Sequence, residues 1–296
     1  MGKELSISYS CRGRFGNNLF QYFATQVLLK LLNDVSQKHK IGITYVYKYK
    51  NEIRPYQPWL ESTPEGWFEI TDETFLKFYD QLKKGEYPTE ILNKNLWLFG
   101  YYQFDQFLRE NIEYVRSLFT SESSHIINDS IAMNNFAHSV KDISDSKPSS
   151  DELVLHLRLD DFIQSGGDNN IIAWESYIDL VKKIKVENPN LTKITIVVDK
   201  IKREFEGIYV QNLIKRLAMI GGLIVSIRSG SMWSDFAYMY YGEHIILSNS
   251  TFSWWATILS DKNKLNWFPN TNGYYSNQIF NKINDNTIVY ETKFWR

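Results

Sequence analysis

A single cysteine, Cys11, is present among 296 residues, so no intrachain disulfide can staple the fold. It lies in an apolar stretch and reads as a buried, inert thiol. Neither sign of charge dominates. The 33 Lys and Arg face 34 Asp and Glu, for a formal net charge of −1, which argues against nucleic acid or an anionic membrane as the main partner. Any phosphate recognition must come from a few well-placed groups. No apolar run approaches the roughly 18 residues of a membrane span. The start, Met1-Gly2-Lys3-Glu4-Leu5-Ser6, lacks the apolar run of a signal peptide, so a cytoplasmic location without a membrane span is expected. There is no Asp-x-Asp pair of the kind that holds Mg²⁺ or Mn²⁺, and no metal is expected. Gly-Lys-Ser/Thr of a Walker A loop and Gly-x-Gly-x-x-Gly of a dinucleotide site are both missing. The second absence argues against an NAD(P)-dependent dehydrogenase.

What is present is an ordinary globular balance, 43% hydrophobic and 23% charged. The length suits two domains of roughly 150 residues each. Aromatics are plentiful, with 9 Trp and 19 Tyr. Such residues fill cores and also stack on sugar rings, and composition does not choose between these uses. Residues 5–11 read as a strand, followed by a glycine loop and a helix from Leu19 to Leu32. A second strand is expected at 41–49, a loop at 50–66, and helices at 72–83 and 105–119. The polar stretch 142–151, with Pro148, is the expected linker. Beyond it, strands (153–158, 194–198, 223–227, 244–248) alternate with helices (174–187, 203–220, 233–241, 253–260). That alternation predicts a parallel sheet covered on both faces.

Three segments carry candidate chemistry. Gly13-Arg14-Phe15-Gly16-Asn17 joins a strand to a helix; its glycines permit close backbone approach and the helix N-terminus suits phosphate, although an ordinary tight turn reads the same way. His156-Leu157-Arg158-Leu159-Asp160-Asp161 ends a buried strand, where ligands bind in open α/β sheets. Arg158 there can fork onto a diphosphate, while Asp160 and Asp161 can orient it, contact a sugar hydroxyl or take a proton. A strand-end ion pair beside a core histidine is the plainer reading. Ser248-Asn249-Ser250-Thr251-Phe252-Ser253-Trp254-Trp255 opens a helix; its hydroxyls suit capping and, equally, diphosphate binding.

Taken together and in order, these segments resemble the α-1,2-fucosyltransferase family (glycosyltransferase family 11) within the wider fucosyltransferase superfamily. The glycine loop matches at Gly13 to Asn17, and the His-x-Arg-Arg-x-Asp motif in part at His156, Arg158 and Asp161. The Ser-Asn-Ser segment matches from Ser248 to Trp255. Gly100-Tyr101-Tyr102-Gln103 and the pair Asp235 and Met239 resemble two further family segments. Two departures stand out: Leu159 replaces the motif's second arginine and cannot hydrogen-bond a substrate, and Val197-Val198-Asp199-Lys200 replaces a Ser-Asp-Asp type of segment.

The resemblance implies a GT-B-like α/β fold, two Rossmann-like domains facing a cleft. The first would span 1–145 with the glycine loop and the acceptor side; the second would span 150–270 and bind the nucleotide sugar. A tail at 271–296 would pack back on the first. It implies an inverting, metal-independent glycosyltransferase without a cofactor, moving L-fucose from GDP-fucose to a hydroxyl of a glycan acceptor. Arg158 would meet the diphosphate charge and Asp161 would act as base. Gly16, Asn17, His156, Asp235, Ser250, Thr251, Phe252 and Ser253 would bind the donor, with His156 and Asp235 reading the guanine. Tyr101, Tyr102 and Gln103 would serve the acceptor or sugar side. Competing readings are a sister enzyme with another donor, such as a rhamnose nucleotide, and a non-catalytic sugar-binding relative.

Overall fold

The computed structural model of the chain describes residues 2–10, 13–48, 62–120, 147–159, 171–260, 264–270 and 286–294. It divides into two units, Met1–Ile131 and Ala132–Arg296. The break expected at 145–150 lies some residues beyond that division. Cys11, Asp160 and Asp161 fall outside the described residues.

In the N-terminal unit β1 (Lys3–Tyr9), α1 (Phe15–His39), β2 (Ile43–Tyr47), β3 (Trp67–Thr71), α2 (Asp72–Lys83), β4 (Asn95–Phe99) and α3 (Asp105–Thr120) follow in order. The four strands form one sheet, β2-β1-β4-β3, with every pair parallel. Alternation of side chains puts Leu5, Ile7 and Tyr9 on one face of β1. There Tyr22 of α1 meets Tyr9 edge-on, ring centroids 6.4 Å apart. Helix α2 brings Phe78 onto Phe68 of β3 at 5.8 Å and Phe75 onto Phe107 of α3 at 5.0 Å. Glu110 of α3 accepts from Tyr79 and Lys83 of α2, at 2.7 and 2.6 Å.

The C-terminal unit contains β5 (Glu152–Leu157), α4 (Trp174–Glu187), β6 (Lys193–Val198), α5 (Glu204–Ala218), β7 (Ile224–Arg228), α6 (Met232–Tyr241), β8 (His244–Ile246), α7 (Thr251–Ile258), β9 (Leu265–Asn270) and β10 (Thr287–Glu291). Its six strands run in the order β10-β9-β8-β5-β6-β7, again all parallel. Central strand β5 is buried at every position, as parallel strands covered on both faces are. Leu153, Leu155 and Leu157 share one cluster with Ile194, Ile196 and Val198 of β6, Tyr177, Val181 and Ile184 of α4, and Leu213 and Leu217 of α5. His156, pointing to the other face, lies against Phe252 of α7 at 5.7 Å. The class is therefore α/β with parallel sheets, as expected.

In the described part of the tail, β10 adds an edge strand beside β9, from Thr287↔Asn266 to Glu291↔Asn270. The run Thr-Ile-Val-Tyr has the β-branched and aromatic character of a strand. Tyr290 is buried, and its hydroxyl donates to the Leu247 carbonyl at 2.9 Å. Ala173 N–H donates to the Lys293 carbonyl at 2.7 Å, which ties the tail to the start of α4. Among the described residues no helix is long and apolar enough to cross a membrane.

Candidate active site

From β5 the chain winds outward through β6 and β7, then returns to place β8, β9 and β10 on the opposite side. The order reverses between β5 and β8. In a parallel open sheet that switch point leaves a crevice at the carboxyl ends of the two strands, where nucleotides bind. The segment ending β5 and the segment following β8 are the two motifs singled out in the sequence. They are joined by a hydrogen bond, 2.7 Å between His156 Nδ1 and Ser248 Oγ. Burial pushes the imidazole pKa down to about 3, and the neighbouring Arg158 charge adds to the effect. His156 is thus neutral at any working pH. It offers hydrogen bonds rather than charge.

Arg158 leaves the end of β5 with 13% of its side chain exposed, and Nη1 lies 3.4 Å from Asp199 Oδ2 beyond β6. Next to it Leu159 turns into the apolar core and is 3% exposed, so the position that departs from the family motif offers no polar contact. Ser250 is the N-cap of α7, its Oγ accepting from Phe252 N–H at 3.3 Å. Thr251 and Phe252 are half-buried. Ser253 is fully buried, with its hydroxyl donating to the Ser250 carbonyl at 3.3 Å. This helix start carries the partial positive charge that suits a phosphate.

Asp235, in the first turn of α6, is buried but already engaged. Oδ1 accepts from Arg228 Nε at 2.9 Å, and Gly230 N–H lies 3.1 and 2.9 Å from the two carboxylate oxygens. Burial raises its pKa above the usual carboxylate range, while Gly230 and Arg228 oppose that rise. Neither Arg228 nor Asp199 was picked out from the sequence as a partner of these groups. Arg228 carried the same signal as Arg158, an arginine ending a strand.

The N-terminal sheet has its own reversal, between β1 and β4. Gly13 and Gly100 follow those strands. Helix α1 begins at Phe15, not Leu19: the Asn18 N–H already donates to the Arg14 carbonyl at 3.0 Å, and Asn18 Nδ2 donates to the Arg14 and Gly13 carbonyls at 2.9 and 3.2 Å. Gly16 and Asn17 therefore sit in its first turn. Gly13 has φ +76°, and a Cβ there would lie 2.5 Å from Asn17 Nδ2, so only glycine fits. Gln103 Nε2 donates to Asn17 Oδ1 at 3.0 Å, linking the glycine segment to the one after β4. Asp72, opening α2, accepts from the Tyr101 and Tyr102 N–H groups, the latter at 2.7 Å. A Cβ on Gly100 would lie 2.7 Å from that carboxylate. Tyr102 is fully buried, its hydroxyl donating to the Ile70 carbonyl at 2.5 Å. It supports the segment from within; of the pair, only Tyr101 presents an exposed ring.

No curated protein matches the chain in sequence. Among solved structures, the crystal structure of POFUT1 in complex with GDP-fucose aligns at 12% identity and a TM-score of 0.47, covering 88% of this chain and 96% of that one. E. coli heptosyltransferase WaaC with ADP-2-deoxy-2-fluoro heptose aligns at 11% identity and a TM-score of 0.41, covering 96% and 92%. These are loose likenesses. Residues 93–287, well over half of the chain, match the model of glycosyl transferase family 11, and the chain belongs to that family of glycosyltransferases.

Proposed function

We propose that the chain transfers L-fucose from GDP-fucose to a hydroxyl of a glycan acceptor, with inversion and without a metal. The observation that carries this reading is the His156–Ser248 hydrogen bond at the β5/β8 reversal. It brings the arginine-bearing strand end and the capped start of α7 to one crevice of family 11 chemistry. The fucose donor itself rests on the motif resemblance to the α-1,2-fucosyltransferases.

In this reading the acceptor oxygen attacks the anomeric carbon as its bond to the diphosphate breaks, and GDP leaves. Charge growing on the diphosphate is met by Arg158 and by the start of α7 at Ser250, Thr251 and Phe252; Ser253 braces that turn. Preorganised donors of this kind lower barriers by several kcal/mol. The acceptor proton passes to Asp161. Asp235 accepts from the guanine N1–H and 2-amino group, and neutral His156 contributes a further hydrogen bond to the base. Gly16 and Asn17 are proposed donor contacts from the N-terminal unit, Asn17 being held in orientation by Gln103. Tyr101 is the proposed ring for the acceptor or sugar side.

A second reading, a sister enzyme with a different nucleotide sugar, is favoured by one observation: Leu159 is buried in the core, so one family contact is missing. Both are tested by incubating the protein with a panel of nucleotide sugars, with and without EDTA, and following nucleotide release. We expect GDP-fucose to be consumed fastest and EDTA to leave the rate unchanged. Preferred turnover of another donor would establish the second reading. Activity abolished by EDTA and restored by Mn²⁺ would refute metal independence. No release from any donor would point to a non-catalytic relative.

A further inference from the structure

Arg228 has no part in the chemistry described so far, yet its side chain is held from several sides. It ends β7 and reaches the first turn of α6. Its Nε donates to Asp235 Oδ1 at 2.9 Å, and Nη2 donates to the Ser234 hydroxyl. Its guanidinium lies over the Tyr238 ring, 4.4 Å from the centroid. The Tyr238 hydroxyl is itself anchored on the buried carboxylate of Glu152, which also accepts from Thr195 at 2.5 Å. Only 22% of the Arg228 side chain is exposed. A planar fork stacked on an aromatic face and bonded along one edge has little freedom to turn.

Such a clamp has a specific consequence for Asp235. An acid in a buried setting drifts towards the neutral form, and a neutral carboxyl would give up the double acceptor that guanine requires. We propose that Arg228 is the positioning residue of base recognition: it holds the Asp235 carboxylate oriented and ionised, so that the nucleotide is selected by its base as well as by its phosphates. This rests on Asp235 as the base contact in the proposed function.

The groups facing Asp235 set the expected pH behaviour. Arg228 and the Gly230 N–H favour its charged form; burial and the charge of Asp199 beyond β6 oppose it. Arg158 is paired with Asp199, His156 is neutral, and Tyr238 lies beneath Arg228. Removing Arg228 therefore raises the Asp235 pKa further. Binding that needs the carboxylate is then lost at a higher pH as the solution is acidified.

The test is calorimetric binding of GDP and UDP to the full chain across about pH 5 to 8, for the wild type, Arg228→Met, Arg228→Lys and Asp235→Asn. For Arg228→Met we expect GDP affinity to fall about ten- to hundredfold, the size of a lost charge-assisted contact, while UDP affinity is nearly unchanged. The acid limit of GDP binding should move upward. Arg228→Lys should restore the acid limit in part, because the charge returns without the fork. If Arg228→Met does not fold, Arg228→Lys carries the test through its reduced GDP-over-UDP preference. Equal losses for both nucleotides, or an acid limit that stays in place, would overturn the inference and leave Arg228 a tie between β7 and α6. A wild type without preference for GDP would instead overturn the proposed donor. A preference abolished by Asp235→Asn but untouched by both Arg228 variants would remove Arg228 alone.

Discussion

Arg158 reaches the crevice with its side chain largely shielded, and Asp199 Oδ2 lies 3.4 Å from its Nη1. Asp199 is 55% exposed, and exposed pairs of that length contribute little stability. This pair by itself adds little to holding the guanidinium in place. Arg158→Ala is expected to lower turnover about 10²–10³-fold, or about 3–4 kcal/mol of barrier, as loss of an oxyanion-type contact does. Arg158→Lys should recover little of this, because an ammonium cannot fork across two phosphate oxygens. Melting temperature and turnover per folded molecule, measured on one sample, separate this from a stability defect. A stable Arg158→Ala protein with near-normal turnover would remove the residue from the mechanism. Arg158 was legible in the sequence because a charged residue ends an apolar strand. Its restraint was not, since Asp199 lies 41 residues further on and no local pattern links them.

Helix α6 presents Asp235 from its first turn and is fastened at its other end by Lys264. That lysine is 1% exposed; Nζ donates to the Met239 carbonyl at 2.9 Å and to the Tyr240 carbonyl. A cation there meets the last carbonyls and the negative end of the helix dipole together. Lys264→Met keeps most of the volume but removes a donor from two buried carbonyls, of which that of Met239 still accepts from the Gly242 N–H at 3.2 Å, at a cost of about 1–3 kcal/mol. A melting point about 2–10 °C lower is expected, with nucleotide affinity of the folded protein retained. An unchanged melting point would show that solvent serves these carbonyls as well. The helices of this unit were readable to within a few residues, because twelve or so positions give several turns of apolar period. Strands β3, β4, β9 and β10 were not anticipated. Runs of five or six residues such as Asn-Leu-Trp-Leu-Phe complete too few alternations to declare themselves, and Pro269 in β9 argues locally against a strand.

Across the whole chain one device recurs. Each sheet reverses its strand order once, and each reversal is bridged by a side-chain hydrogen bond, Gln103–Asn17 in one unit and His156–Ser248 in the other. The motifs were therefore visible in the sequence as separate segments, while their partnership waited on topology. Two arginines at the carboxyl ends of strands in the C-terminal sheet are, moreover, individually matched, Arg158 by Asp199 and Arg228 by Asp235. His156 adds no charge, and the chain as a whole carries a formal charge of −1. Under the proposed function, these two pairs contribute little long-range attraction to an approaching nucleotide diphosphate, which is recognised on arrival through dipoles and hydrogen bonds a few ångströms long. Its encounter rate should stay nearly constant between about 20 and 200 mM salt, whereas steered association falls steeply over that range. Stopped-flow association of a fluorescent GDP analogue reads this directly, and a steep fall with salt would reveal a long-range field from groups outside these pairs.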